Sequence, residues 1–132
     1  MVLVDTTVWI DWLRGEATRA ADRLDALLDE GEAALAPVIL QEILQGAASA
    51  RALGTLRRRF EALPMLIPEG PGTYAEAGRL YAPCRRRGYT PRSPHDCLIA
   101  RLAVEHRVPL LHDDGVCERI AAIESRFAAW RG

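Results

Sequence analysis

Residues 1–11 read MVLVDTTVWID, and this stretch decides the fold prediction. Its short apolar run stops at Asp5, and a second apolar run, residues 108–111, stops shortly before Asp113 and Asp114. Short runs of consecutive apolar residues are typical of strands that are buried on both faces of a parallel sheet. Functional groups of open α/β folds gather just beyond the carboxyl ends of such strands. The two runs therefore predict a group of acids at one edge of a parallel sheet.

Helical spacing of apolar residues alternates with further strand candidates along the rest of the chain. Helices are predicted from about Thr7 to Gly15, Thr18 to Gly31, Pro37 to Ala47, 50 to 63 and Thr73 to Arg87, then from Ser93, with a short helical turn near Ile120. The further strand candidates are 33–36, 65–67 and 127–130. Thr6 and Thr7 are candidate caps of the first helix. The alternation predicts a single α/β domain over residues 1–132, with three layers: a central, mostly parallel sheet flanked by helices.

Composition excludes several classes of protein. A chain of 132 residues with 49% hydrophobic and 27% charged residues is typical of one compact domain and not of a disordered segment. It contains no apolar stretch of membrane-spanning length and no signal-peptide pattern at its start, and an odd count of three cysteines indicates free thiols, so we expect a cytoplasmic protein. All 17 cationic residues are Arg, which excludes Walker-type phosphate loops and receiver-type phosphoacceptor sites because each needs a Lys.

Four acids interrupt the apolar patterns at the predicted sheet edge or on nearby helices: Asp5, Glu42, Asp96 and Asp114, here called the four carboxylates. Each has an ordinary explanation when it is taken alone, as a turn acid, the third residue of a capping box or a solvated helix flank. A cluster of carboxylates raises their pKa values and destabilises the fold unless a cation neutralises them. Oxygen ligands without a supporting His/Cys set favour Mg²⁺ or Mn²⁺ over Zn²⁺.

Four segments, in order along the chain, resemble the acidic motifs of PIN-domain ribonucleases, especially the VapC-type toxins of bacterial toxin–antitoxin modules. The segments are DTTVWID at 5–11, PVILQEI at 37–43, RSPHDCLIA at 92–100 and LLHDD at 110–114. The resemblance implies that the four carboxylates are catalytic metal ligands and that Thr7 forms a hydrogen bond within the site. The family's last motif often continues with a further acid and an aromatic, whereas this chain has GVC at 115–117. Asp113 therefore stays an alternative to Asp114, which is the preferred fourth ligand.

The resemblance also implies a function. It predicts a Mg²⁺- or Mn²⁺-dependent endoribonuclease that acts as a toxin, forms a homodimer and is neutralised by a small antitoxin whose tail occludes the site. Two alternatives remain open at this stage. One is a housekeeping PIN nuclease that processes RNA without an antitoxin, and the other is a non-catalytic module whose acids bind metal only for structure.

Arginines and aromatics near these motifs have competing interpretations. Arg85, Arg86 and Arg87, together with Arg92, are predicted RNA contacts, whereas the arginines at 57–59 are interpreted as ordinary surface. His112, which stands where the family commonly has a small hydroxyl residue, is a candidate for positioning water. The cysteines are interpreted as structural, and Trp9 and Trp12 as packing or interface residues.

Overall fold

A computed structural model describes residues 1–88 and 94–132 of the protein. Its four strands are β1 (Val2–Val4), β2 (Ala33–Ala34), β3 (Leu110–Leu111) and β4 (Ala129–Trp130). They form one sheet in the order β2-β1-β3-β4, and every pairing is parallel. The central strand β1 lies between β2 and β3, and all three of its apolar side chains are buried, as predicted for a strand covered on both faces.

Helices flank this sheet. They are α1 (Thr6–Leu13), α2 (Arg19–Asp29), α3 (Pro37–Gln45), α4 (Ala50–Glu61), α5 (Pro71–Arg86), α6 (Pro94–Glu105) and α7 (Gly115–Ile123). The predicted α/β class, with helices around a parallel sheet, is confirmed. In residues 1–88 and 94–132 the structure contains no helix with the length and apolar character needed to cross a lipid bilayer.

The register of β1 and β3 sets the position of the acidic segments. Val4 pairs with Leu111, and the amide of Asp5 donates a hydrogen bond to the Leu111 carbonyl at 2.9 Å. His112, which directly follows β3, donates a hydrogen bond from its amide to the Trp130 carbonyl at 2.8 Å. Because parallel strands end at the same edge of a sheet, Asp5 and the segment that begins at His112 leave the sheet side by side.

Trp9 is the largest fully buried side chain of the core. Its ring packs edge-to-face against Phe60 at 5.1 Å and against Trp12 at 6.1 Å, a favoured geometry for aromatic pairs. Trp12 donates from its indole nitrogen to Asp25 and lies under the guanidinium of Arg59. The packing interpretation of both tryptophans is confirmed. Arg59, one of the arginines at 57–59, thus has a local contact with the ring of Trp12.

Three local predictions are wrong. Residues 65–67 contribute only an isolated bridge between Met65 and Leu35, since prolines at 64 and 68 bound a segment too short to form a ladder. The helical turn predicted near Ile120 is the nine-residue helix α7. Thr6 and Thr7 do not cap α1, whose N-cap residue is Asp5 without a side-chain cap bond. The predicted Ser93 cap of α6 lies outside the described residues.

Candidate active site

Asp5 is the first residue beyond β1, and its backbone is extended before the chain turns into α1. Only 6% of its surface is exposed. Thr7 Oγ1 donates a hydrogen bond to Asp5 Oδ2 at 2.9 Å, which is the hydrogen bond within the site that the resemblance implied for Thr7. This bond fixes the orientation of a carboxylate that the fold holds almost out of contact with water.

Burial and neighbouring charge raise the pKa of Asp5 to about 6. Desolvation is the largest cause, and the negative charges of Asp96 and Glu42 act in the same direction. The hydrogen bond from Thr7 lowers the pKa but does not outweigh them. Three of the four carboxylates, which the sequence separates by up to 91 positions, are therefore within electrostatic reach of one another.

Glu42 reaches this group from α3. Its Oε1 accepts a hydrogen bond from Thr6 Oγ1 at 3.0 Å, and His95 Nδ1 lies 3.9 Å from its Oε2. The Glu42 side chain is 29% exposed, so it is not the solvated helix flank that is the ordinary explanation of such a residue. Sequence reasoning missed Thr6 as a member of the site, although a polar residue directly after the strand-end acid was an available signal.

Asp96 reaches the group from the first turn of α6, where it is half-buried. A carboxylate at this position is favoured by the positive end of the helix dipole. The residue before it, His95, is the one that approaches Glu42. The start of α6 thus places one acid and one imidazole beside the acids carried by β1 and α3.

The two acids that follow β3 have different surroundings. Asp114 Oδ1 accepts from the Val116 amide at 3.0 Å and caps α7, whereas Asp113 is exposed, 3.9 Å from Arg131. His112 is fully buried, and its Nδ1 accepts the Asp114 amide at 3.1 Å. Burial is the main cause of the lowered pKa of His112. The neutral imidazole therefore fixes the backbone of Asp114 through this hydrogen bond. Asp113 lies at the protein surface.

The donor set is suited to a hard divalent cation. Carboxylate oxygens are the ligands that Mg²⁺ and Mn²⁺ prefer, and the crowding of negative charge at Asp5 is what such a cation would relieve. Within residues 1–88 and 94–132, however, no three His, Cys, Asp or Glu side chains already surround a point that could hold an ion. The residues fit a metal by charge and donor type, and binding requires their side chains to converge.

Comparison with known proteins identifies the family of this chain. The PIN domain family matches residues 2–123. Ribonuclease VapC11 of Mycobacterium tuberculosis (strain H37Rv) is 37% identical over 131 residues, which cover 98% of each chain. The chain belongs to the PIN-domain family, among the VapC ribonucleases. The resemblance found in the four segments is confirmed.

Solved structures share the fold of this PIN domain. One is VapBC2 from Rickettsia felis bound to a promoter DNA fragment, with a TM-score of 0.72, 14% identity and coverage of 98% of this chain and 97% of that one. Another is a toxin–antitoxin complex from Klebsiella pneumoniae, with a TM-score of 0.70, 17% identity and coverage of 97% and 96%. At these identities the likeness supports the fold and not the details of the site.

The arginine cluster of this PIN domain lies at the C-terminal end of α5. Arg85, Arg86 and Arg87 are exposed, and none of them forms an ion pair with a residue that the structure describes. Cations at a helix C-terminus are favoured by the helix dipole, so their position alone does not indicate a ligand. Arg92, the fourth predicted RNA contact, lies outside the described residues. The predicted RNA contacts stay predictions.

Proposed function

We propose that this PIN domain is a divalent-metal-dependent endoribonuclease that acts as the toxin of a toxin–antitoxin module. The enzyme class and the toxin role follow the family to which the chain belongs. The observation that carries the metal dependence is Asp5, a buried carboxylate whose pKa is raised to about 6 by burial and by two neighbouring acids. Such a group destabilises the fold at neutral pH, and a bound cation removes that cost.

The four carboxylates would hold Mg²⁺ or Mn²⁺. When bound, such an ion activates a water molecule and neutralises charge that develops on the attacked phosphodiester. The protein's own side chains prepare the site. Thr7 fixes the orientation of Asp5, Thr6 and His95 contact Glu42, and His112 holds the backbone at Asp114. The role of His112 in positioning water stays a prediction.

RNA reaches this acidic edge only if cations compensate the repulsion between its phosphates and the carboxylates. We assign this role to Arg85, Arg86 and Arg87, together with Arg92. What supports the assignment is that the three described arginines are exposed, lack ion pairs within the described chain and end the helix that precedes α6. Phosphate contacts of this kind give affinity without base specificity.

A protein partner completes the proposal. The Klebsiella structure is a toxin–antitoxin complex, and we propose a small antitoxin for this chain. Its tail would place a cation, an Arg by preference, against the carboxylates, because that is the charge the site lacks. The proposed protein is a cytoplasmic homodimer, and its three cysteines are free, as is typical of a reducing compartment.

The decisive experiment compares RNA cleavage by the wild type with cleavage by Asp5→Asn, Asp96→Asn and Asp114→Asn, each with Mg²⁺, with Mn²⁺ and with EDTA. We expect metal-dependent cleavage by the wild type and at least about a hundredfold loss in each variant. Asp113→Asn is the matched comparison, because its exposed carboxylate lies 3.9 Å from Arg131, and it should keep near-normal activity. A loss as large as that of Asp114→Asn would make Asp113 the ligand instead.

Expression in a bacterial host separates the toxin role from the enzymatic one. The wild type should arrest growth and the Asp96→Asn protein should not. Harmless expression of a folded, RNA-cleaving wild type would replace the toxin by a housekeeping nuclease. Retained metal binding without cleavage of any RNA would replace both by a metal-binding interaction module.

A further inference from the structure

A cavity of about 640 Å³ opens at the edge of the sheet opposite the carboxylates. Pro109 and Ala128, which directly precede β3 and β4, line it, whereas the acids follow the carboxyl ends of β1 and β3. Its volume falls within the range of small-molecule binding pockets. Three arginines from different segments contribute to its walls: Arg101, Arg107 and Arg126.

Arg101 is a half-buried cation without a hydrogen-bond or ion-pair partner, and the carboxylate of Glu124 acts on it only through its charge. Its Nε is buried without a hydrogen-bond acceptor, and its side chain forms no ion pair with any residue that the structure describes. A guanidinium stays protonated when it is buried, so it cannot escape the cost of desolvation by losing its charge. Arg126 provides the contrast, because Glu124 holds it through two bonds of 2.9 and 3.0 Å. An anion in the cavity would satisfy Arg101 in the same way.

Arg107 is the second cation without a partner. It lies on the short connection between α6 and β3 with a φ of 56°, and among the described residues it is the only non-glycine with a positive φ. Glycine is the usual residue at such a position after a helix, because a side chain costs about 1 kcal/mol there. This exposed Arg in a strained conformation is a further cationic residue of the cavity wall.

The acids of the cavity, Glu69 and Glu105, form no ion pair with Arg101 or Arg107 among the described residues. Both carboxylate oxygens of Glu105 accept hydrogen bonds within the wall. Thr73 Oγ1 donates to one of them at 2.6 Å, and the Glu69 amide donates to the other at 3.1 Å. Glu105 keeps its charge, so the lining holds three arginines and two carboxylates, and Arg126 is the arginine that Glu124 pairs. The rest of the wall is largely apolar and includes the ring of Trp130, whose surface is 41% exposed.

We propose that this cavity binds a nucleotide, with its phosphate at Arg101 and Arg107 and its base against Trp130. Guanidiniums are preferred protein groups for binding phosphate, and an indole ring is a surface on which a base stacks. The nucleotide can be a free mononucleotide or one residue of an RNA strand, which share this chemistry. The inference does not depend on cleavage, because the cavity and the carboxylates lie at opposite edges of the sheet.

Isothermal titration calorimetry in EDTA tests the proposal without any contribution from metal-dependent cleavage. The ligands are adenosine and uridine 5′-monophosphates, an eight-residue oligouridylate, uridine and inorganic phosphate. We expect one mononucleotide per protein chain, with uridine and inorganic phosphate each binding at least about tenfold more weakly. Loss of affinity for both mononucleotide and oligonucleotide on mutation of the cavity supports the shared site. Loss for only one of them assigns the source of the nucleotide.

Two variants locate the binding. Arg101→Gln and Arg107→Asn should each weaken binding at least about tenfold, and Asn suits the left-handed backbone at 107. Arg51→Gln, an exposed arginine of α4 outside the cavity, is the control and should leave affinity unchanged. The thermal midpoint of Arg101→Gln without ligand should change little, since the variant removes both an unsatisfied buried Nε and a favourable charge interaction with Glu124. Absence of binding by every nucleotide, or equal binding by the wild type and Arg107→Asn, would overturn the proposal.

Discussion

Replacing Asp5 by Asn should stabilise the metal-free protein. The pKa of Asp5 rises from 3.8 to about 6 on folding, and each pKa unit corresponds to about 1.4 kcal/mol. Ionising Asp5 therefore lowers the free energy of unfolding by about 3 kcal/mol once the pH exceeds both pKa values. Asn keeps an acceptor for Thr7 but buries an amide group that costs about 1 kcal/mol. We expect a net gain of about 2 kcal/mol at pH 7.5.

The sign of the pH dependence follows from the raised pKa. Between pH 3.8 and about 6 the unfolded state has lost the Asp5 proton while the folded state keeps it, so the stability of the wild type falls as the pH rises through this range. Asp5→Asn lacks this loss. Its advantage should therefore grow from pH 4 to pH 6 and stay constant above, in urea titrations with EDTA.

Asp113→Asn is the control for this measurement. Its exposed carboxylate faces Arg131 at 3.9 Å, and a surface pair of this kind changes stability by less than about 1 kcal/mol. A destabilised Asp5→Asn at pH 7.5 would refute the reasoning, because it would make Asp5 a structural residue. An advantage of the same size at pH 4 would refute the titration argument in particular.

Three further outcomes are expected. Mg²⁺ or Mn²⁺ should raise the melting temperature of the wild type but not of Asp5→Asn, because a ligand of the folded state stabilises it by mass action; equal shifts in both would place the ions elsewhere. Reversing the charges of the arginines at 85–87 should weaken RNA binding across sequences. It should also reduce the slope of log binding constant against log salt concentration by roughly 0.7 for each lost phosphate contact. Reversing the charges at 57–59 should change neither. Thr6→Val should lower cleavage about tenfold by releasing Glu42, with about 1 kcal/mol lost in stability; unchanged cleavage would make the 3.0 Å bond incidental.

The strands show where sequence reasoning succeeds. Three residues of β1 and two of β3 are apolar and buried on both faces, so their pattern and their position before acids predicted both strands. Residues 65–67 have a similar pattern, yet their contact with the sheet is a single bridge at Leu35. Local apolarity predicts burial at both places. Whether a buried segment forms a strand ladder depends on the length of the neighbouring strand. The sequence of the segment itself carries no information about that length.

The candidate site shows a different limit. Asp5 and the acids after β3 follow from strand ends, which a pattern reveals. Asp96 and Glu42 interrupt apolar patterns on nearby helices, and the resemblance then implied a ligand role for all four carboxylates. The bond from Thr6 to Glu42 joins positions 36 residues apart, and no local rule connects them. Thr6 and Thr7 satisfied the rule for helix caps, but the fold uses their hydroxyls for carboxylates instead. Tertiary partners competed with a local preference and prevailed.

The balance of charge at the carboxylate edge connects the proposed catalysis with the proposed inhibition at the same site. Asp5 and Asp114 are N-cap residues of α1 and α7, and Asp96 lies in the first turn of α6. A helix N-terminus favours a nearby carboxylate by about 0.3–1 kcal/mol. That is smaller than the cost of about 3 kcal/mol that the raised pKa of Asp5 represents. The helix dipoles therefore reduce the negative charge felt at this edge without balancing it. The remainder must be met from outside the chain, and a divalent cation and a guanidinium from an antitoxin tail would compete to supply it.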